Sequence, residues 1–351
     1  MKIAFIGSGP VSLLKAYLHA KGNPNDEIII IDQHNRVGGA WYSDISTSGH
    51  EIECGCHIWS YCPEVYDFFK KEFELQLQPF NPNAVFVGKH FNLPYSLKNT
   101  INTYTFIAKN TLTGKFSRNK EVRTEPMWHT RIFGKKNQYP LKGSVELINS
   151  MKRKLDALSN VEFLLGKQVD AIDVMTKVTL AFREGEKLEV DKAILTSVSE
   201  IKEVNSASKK IELVQDRRDY IHLLLSSNQS FRKKISYWRL MNDNVIHRIS
   251  DISYQTENKE NLLLVGIKPD PFYSKSEDEL TEYCRHFLLN KGVIVQNQSL
   301  DRIKTHVFPT YYIKEGLRNQ INNIDLQKIE LIHSTDLIYG FFRILKKENL
   351  I

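Results

Sequence analysis

The chain has 351 residues, 41% hydrophobic and 25% charged, and carries a net charge of +7. That length exceeds one ordinary core and implies two domains, and the composition is that of a globular chain, which excludes low-complexity and fibrous classes. The lysines are spread along the chain with no basic, aromatic-laced patch, so no nucleic-acid partner is expected; the charge suits an anionic substrate or a solvated surface equally.

Lys2–Ile6 opens the chain as a short apolar run without polar alternation, the pattern of a parallel strand buried on both faces. Gly7-Ser8-Gly9-Pro10-Val11-Ser12 follows. Gly7 permits the tight turn, Gly9 lets backbone approach a pyrophosphate, and Ser12 stands where a third glycine is usual. Leu14, Tyr17 and Leu18 share one face of the next helix, whose N-terminus would point N–H groups at phosphates. A second apolar run, Ile28–Ile31, ends in Asp32, a carboxylate placed to accept a hydrogen bond from a ribose hydroxyl. These features agree on a dinucleotide site.

The run Asp32-Gln33-His34-Asn35-Arg36-Val37-Gly38-Gly39-Ala40-Trp41 resembles the segment after the second strand in FAD enzymes of the flavin amine oxidase, protoporphyrinogen oxidase and UDP-galactopyranose mutase superfamily. The resemblance implies FAD as cofactor. It implies a discontinuous Rossmann-like FAD-binding domain with a second, α+β substrate domain. On that basis Gly7, Gly9, Pro10, Ser12, Asp32, Gln33, Arg36, Gly38, Gly39, Ala40 and Trp41 are expected to hold the cofactor.

Asp44–Gly49 reads as a polar loop. In Glu51–Trp59, Gly55-Cys56-His57 is similar to the flavin-facing turn of the superfamily, although Ser60 stands where mutases carry a second histidine. His57 is therefore expected at the flavin ring, as catalytic and cofactor-binding residue, against the plainer reading of a packed histidine. Cys54, Cys56, His57 and Cys62 lack the spacing and the downstream pair of a structural zinc site, so no metal is expected. With Cys284 they are too few for a disulfide framework, and no apolar run reaches the ~18–20 residues of a membrane span. The opening strand at residue 2 leaves no room for a signal peptide, and a cytoplasmic location with free thiols is expected.

Val65, Phe68, Phe69 and Phe73 predict a helix over Pro63–Phe73. Phe86–Leu97 reads as a hairpin and an extended segment, and Leu93–Asn102 resembles the mutase segment that opens the substrate domain. Tyr139-Pro140-Leu141-Lys142-Gly143-Ser144 resembles the segment crossing under the flavin. A helix follows to Leu158, with Ser144 as its cap. Val161–Leu165, Gln168–Val174, Lys177–Phe182 and Lys187–Leu195 are expected to form a meander, with the Val169 backbone meeting the adenine and Ala193–Ser197 the buried strand that follows, both by resemblance. Ile235–Leu240 and Asn261–Gly266 read as strands, and Arg248 between them resembles a mutase segment, making it a candidate substrate residue for an anion. Glu277–Lys291 is an amphipathic helix. At the end, Thr335 and Asp336 occupy the place of a Gly-Asp pair that binds the ribityl chain, ahead of a helix over Leu337–Lys347.

The expected domains are 1–80, 139–200 and 306–351 for FAD, and 81–138 and 201–305 for substrate. Three functions stay open: an FAD-dependent oxidoreductase of amine oxidase type acting on a small molecule, a sugar-nucleotide mutase of surface-glycan synthesis, and a flavin-binding protein without turnover. The small-molecule partner could be a nucleotide sugar, and an oligomer is compatible with all three.

Overall fold

The computed structural model describes residues 1–41, 43–46, 49, 51–54, 59, 62–80, 84–87, 90–92, 105, 138–196, 201–207, 209–213, 215–233, 235, 237–240, 243–256, 260–313, 320–321, 324–325, 327–332 and 337–351. Its first layer is a five-stranded sheet in the order β21 (Ile329–Leu331), β13 (Lys192–Leu195), β1 (Lys2–Ile6), β2 (Glu27–Asp32) and β9 (Val161–Leu165). Every pairing in it is parallel. Parallel neighbours need crossover connections, and here the crossovers carry the insertions, so the sheet is discontinuous in sequence.

The apolar runs of β1 and β2 are buried on both sides, as their composition predicts. Ile3, Phe5, Ile28 and Ile30 face the helices α1 (Pro10–Gly22), α2 (Pro63–Phe73), α3 (Ser144–Asp156) and α6 (Leu337–Lys347). Ala4, Ile6, Ile29 and Ile31 face a second sheet. Because α1 lies between the sheet and its fellow helices, it buries Leu13, Ala16 and Ala20 in addition to Leu14 and Tyr17. The predicted bounds of α2 and α6 are those observed.

The second sheet runs β12 (Lys187–Val190), β11 (Val178–Phe182), β10 (Val169–Val174), β14 (Glu203–Ser206) and β15 (Lys210–Glu212). The expected four-part meander is thus reduced to β10, β11 and β12. Val161–Leu165 joins β2 instead, and Lys187–Leu195 breaks at Asp191 so that its second half can pair with β1. Both departures have one cause: a parallel pairing between segments far apart in sequence, which local alternation cannot show.

The third sheet has seven strands, in the order β20 (Asp301–Ile313), β16 (Gln215–Ser227), β19 (Asn261–Ile267), β18 (Ile246–Asp251), β17 (Trp238–Leu240), β6 (Ala84–Val87) and β7 (His90–Asn92). One face packs Ile221, Leu223, Leu225 and Val265 against Leu280, Cys284 and Leu288 of α5 (Glu277–Asn290), which follows the short α4 (Pro269–Ser274). A capping box starts α5: Ser276 accepts from the Glu279 N–H, and Glu279 accepts from the Ser276 N–H. The opposite face meets the dinucleotide side through Leu224, Leu262 and Leu264 on Ile52.

Two ribbons complete the chain: β3 (Ser43–Ile45) with β4 (Glu51–Glu53), and β5 (Leu77–Pro79) with β8 (Gln138–Pro140). The first corrects the loop expected over Asp44–Gly49, whose start is a strand. Strand pairing also argues for moving two expected domain boundaries. Residues 203–212 belong with the second sheet rather than the third, and the 305/306 boundary would cut β20. Among the described residues no helix is long and apolar enough to cross a membrane.

Candidate dinucleotide site and the sheet face beside it

The turn out of β1 holds Gly7 at φ 97°, a conformation that favours glycine, and its N–H donates to the Ile31 carbonyl at 2.8 Å. Gly9 is the N-cap of α1 and Pro10 its first residue, where the missing N–H costs nothing. The second glycine pair closes on this turn. The Gly38 N–H donates to the Ser8 carbonyl at 2.9 Å, and a Cβ on Gly39 would sit 3.2 Å from the Gly9 Cα. Gly38 and Gly39 have φ of 109° and 54°. On Gly9 itself a Cβ would meet none of the described residues within 4 Å. The two loops therefore touch each other, while the space over Gly9, at a helix N-terminus, is open for an anionic ligand.

Asp32 is buried at the end of β2. Its Oδ2 accepts the Ser8 N–H at 2.8 Å and the Ser8 hydroxyl at 2.6 Å, and its Oδ1 accepts the His34 N–H at 2.9 Å. The carboxylate thus braces the phosphate turn while keeping lone-pair capacity for a further donor. The segment leading to Val169 runs beside it, with the Lys167 N–H on the Asp32 carbonyl at 2.9 Å and the Gly166 N–H on the His34 carbonyl at 3.1 Å. Val169 opens β10 and is buried. Gln33 stays beside His34, its Nε2 3.5 Å from the ring Nε2. Ser12 is fully buried on α1, and its hydroxyl finds no hydrogen-bond partner among the described residues. Ala40 is exposed.

Trp41 follows the second glycine pair. Its ring is buried in the helical core, stacked on Trp59 at 5.6 Å and edge-on to Phe341 at 5.9 Å. Only its backbone remains for a cofactor.

Behind the loops lies a polar relay that residue patterns alone did not reveal. Glu53 is fully buried and accepts the Ser144 N–H at 2.8 Å and the Tyr139 hydroxyl at 2.6 Å. Since Tyr139 gives its proton to Glu53, the Ser144 hydroxyl donates to Tyr139 at 2.6 Å and in turn accepts from the Trp59 indole at 3.3 Å. Glu53 therefore caps α3 from another strand. The N-cap position is Gly143, not Ser144 as expected, and a Cβ on Gly143 would come 2.7 Å from Glu53 Oε2. The Glu53 N–H donates to Gln255 Oε1 at 2.6 Å, which ties the relay to the second domain.

Arg248 lies in β18, where register slips between Ile246 and Arg248. The slip is a bulge at His247, so His247 and Arg248 both oppose Gly266, and a Cβ there would lie 2.4 Å from His247 Nε2 and 2.7 Å from Arg248 Cγ. Gly266 pairs with His222, and His222 with His306. Arg248 Nη2 donates to His222 Nε2 at 2.6 Å. A guanidinium cannot accept, so the His222 proton sits on Nδ1.

At the other end of this row His306 Nε2 is 3.6 Å from Cys54 Sγ and 3.5 Å from Asp44 Oδ2. Burial, then the charges of Lys304 and Arg36, hold His306 below the usual histidine range against the pull of Asp44. Burial pushes the Cys54 thiol far up, so it stays protonated. Burial opposes ionisation of Asp44, but the Lys304 ammonium and the Ile45 N–H bring it below the usual carboxylate range. The sequence marked Arg248 alone in this group. Histidines on separate strands carry no shared motif, and only the register aligns them.

His57, Gly55, Cys56, Ser60, Thr335, Asp336 and the Leu93–Asn102 segment lie outside the described residues.

Residues 6–71 match the family model described as an NAD(P)-binding Rossmann-like domain. Sequence comparison with curated proteins finds no match. Among solved structures, reduced UDP-galactopyranose mutase superposes with a TM-score of 0.68 at 15% identity, covering 100% of this chain and 94% of that one. A protein assigned as protoporphyrinogen oxidase, from Exiguobacterium sp. 255-15, gives 0.65 at 12% identity, covering 99% and 98%. Putrescine oxidase bound to putrescine gives 0.63 at 10% identity, covering 99% of each chain. The chain shares their fold over its whole length. At these identities the likeness is one of architecture: a Rossmann-like dinucleotide domain joined to a second domain.

Proposed function

We propose that the chain is an FAD-dependent oxidoreductase of amine oxidase type, acting on a small molecule bound between the dinucleotide domain and the seven-stranded sheet. One observation carries the reading: the two glycine loops close on each other, the Gly38 N–H bonded to the Ser8 carbonyl at 2.9 Å and Gly39 so near that a Cβ on it would lie 3.2 Å from the Gly9 Cα, beside space over the N-terminus of α1 that no described residue fills. A plain NAD site has no need of the second loop.

Gly7, Gly9, Pro10 and Ser12 would hold the pyrophosphate with the first N–H groups of α1, and Gly38, Gly39, Ala40 and the Trp41 backbone would close over it. Asp32 would take a ribose hydroxyl, Gln33 and Arg36 would flank it, and the Val169 backbone would meet the adenine. By resemblance alone, Thr335 and Asp336 would serve the ribityl chain and His57 the ring. Bound there, FAD supplies a hydride acceptor; the protein's share is to orient the substrate and exclude water. Cytoplasmic location is part of the reading, supported by sparse cysteines, of which Cys54, Cys62 and Cys284 are free thiols.

The sugar-nucleotide mutase is the second reading, favoured by Arg248 on the sheet face beside the cofactor loops. The purified protein should be yellow or become so with FAD, and denaturation should release FAD. A protein that stays colourless and shows no thermal shift with FAD overturns the cofactor. Reduction by candidate substrate separates the oxidoreductase from the mutase, which would return its substrate isomerised with the flavin unchanged, and from a binding protein, which does neither.

A further inference from the structure

We propose that Gln255, on the 3-10 turn Ser253–Gln255 that follows β18, is a positioning residue for the dinucleotide loops. It braces the second glycine loop from the second domain, so the loop is held in shape by the docking of the two domains. The inference rests on the dinucleotide site proposed above and adds what keeps that site in its binding form.

The path from Gln255 to the loop is short, and every joint in it is a contact. Gln255 Oε1 accepts the Glu53 N–H at 2.6 Å, and its Nε2 lies 3.3 Å from where a Cβ on Gly143 would sit. The side chain is thus wedged between the last residue of β4 and the N-cap of α3. Glu53 accepts the Ser144 N–H at 2.8 Å and so fixes the first turn of α3. One turn further, Ile148 meets the loop: a Cβ on Gly38 would lie 3.2 Å from Ile148 Cγ2. The Gly38 N–H then closes the second loop on the first through the Ser8 carbonyl at 2.9 Å. At Gly143 and Gly38 an added Cβ would come within 2.7 and 2.9 Å of Glu53 Oε2 and the Trp41 carbonyl. Joints packed so closely pass on a displacement of α3 instead of absorbing it.

The chemistry of the wedge suits its place. Glu53 is fully buried, so its N–H needs an acceptor. A neutral amide supplies one, whereas a second carboxylate would face that of Glu53. Gln255 Nε2 donates to the Tyr254 hydroxyl at 3.2 Å, which turns the amide so that Oε1 faces Glu53. Elsewhere along the seam Ile52 packs on Leu224, Leu262 and Leu264, and Asp44 pairs with Lys304. Those contacts seat the β3/β4 ribbon on the sheet. Gln255 touches both that ribbon and the cap of the helix beneath the cofactor loop.

The test uses the full-length protein and reads the loop directly. Hydrogen exchange is followed by mass spectrometry over a peptide spanning residues 36–41, beside a titration with FAD. Gln255→Met keeps the length of the side chain and removes the acceptor. Exchange at the loop should rise about fivefold and FAD affinity should fall by about as much, the size of one lost hydrogen bond. Ile148→Ala, at the other end of the path, should do the same. The double variant should bind FAD no more weakly than the weaker single one, because both substitutions cut one path; independent residues would add. Leu288→Ala is the control for stability alone. It opens a cavity in the second domain, on the sheet face turned away from the ribbon, and should lower the thermal midpoint while loop exchange and FAD affinity stay at parent values. A merely structural Gln255 would behave as Leu288 does.

Parent-like loop exchange in folded Gln255→Met overturns the inference, as does raised exchange with full FAD affinity, or the same changes in Leu288→Ala. Additive losses in the double variant overturn the path through α3. If no FAD binds, but loop exchange rises in Gln255→Met and not in Leu288→Ala, the positioning role stands and the flavin reading falls. If FAD binds and Gln255→Met changes neither exchange nor affinity, the flavin reading stands and this inference falls.

Discussion

The dinucleotide turn and the basic sheet face are both proposed as binding surfaces, but they are built in opposite ways. Gly7, Gly9, Asp32, Gly38 and Gly39 lie within one βαβ stretch, and their contacts are the local consequence of a strand, a tight turn and a helix. His222, His247, Arg248, Gly266 and His306 come from four strands spread over 85 positions (306 minus 222, plus one), and nothing but sheet register brings them together. The first surface needs few partners to exist. The second exists only when the whole sheet is in register, because a one-residue slip would turn each side chain to the other face.

That contrast can be broken by substitution. Gly9→Val should have the largest effect, abolishing cofactor binding in a protein that still folds, because the space a side chain would enter holds no atom of the described residues within 4 Å. Titration with FAD beside a thermal melt checks both halves. Unimpaired FAD affinity would remove the phosphate role of the turn, and an unfolded variant would show that the open space is structural.

Glu53→Ala tests the joint between the two regions. It strands the Ser144 N–H and the Tyr139 hydroxyl in the interior, each worth about 1–3 kcal/mol when left unsatisfied. A loss near 3 kcal/mol in denaturant unfolding is expected, and Tyr139→Phe, which removes one donor, should lose less. Equal and negligible losses would mean that water replaces the relay.

Gly266→Ala should cost about 1–3 kcal/mol, the range of overpacking, as His247 and Arg248 are displaced. Unlike Gly9→Val it should leave FAD affinity alone. Were FAD affinity to fall in step with stability, the two surfaces would not be separable.

The smallest effect expected concerns Glu330 on β21, bonded to Lys15 of α1 and to Lys192 of β13 at 3.0 Å. Burial alone would raise its pKa, but the Lys15 and Lys192 contacts hold it at about 2, well below the ordinary glutamate value of 4.5. A depressed carboxylate stabilises the fold above its unfolded pKa, and that contribution is lost as pH falls from about 4.5 through about 2. Thermal midpoints between these limits should fall less steeply in Glu330→Gln than in the parent. Parallel curves would show that the cluster contributes nothing.

The sequence by itself determined the dinucleotide turn, because its chemistry lies in short spacings: apolar run, glycines, helix start, strand-end acid. It also determined α2, α5 and α6 within a residue or so, since the helical period is local. Ser144 misled as a cap because its own side chain serves Tyr139, and the cap comes from Glu53, 91 residues away. Lys187–Leu195 carries both the end of the meander and the start of the buried strand expected from Ala193, and tertiary pairing places the break between the two sheets at Asp191. The place of the Trp41 ring, between Trp59 and Phe341 in the core, follows from packing that no local spacing contains. Only the tertiary structure decided that Arg248 shares its face with three histidines. Register across an antiparallel sheet follows from how all its side chains pack at once, and no window of sequence contains that sum.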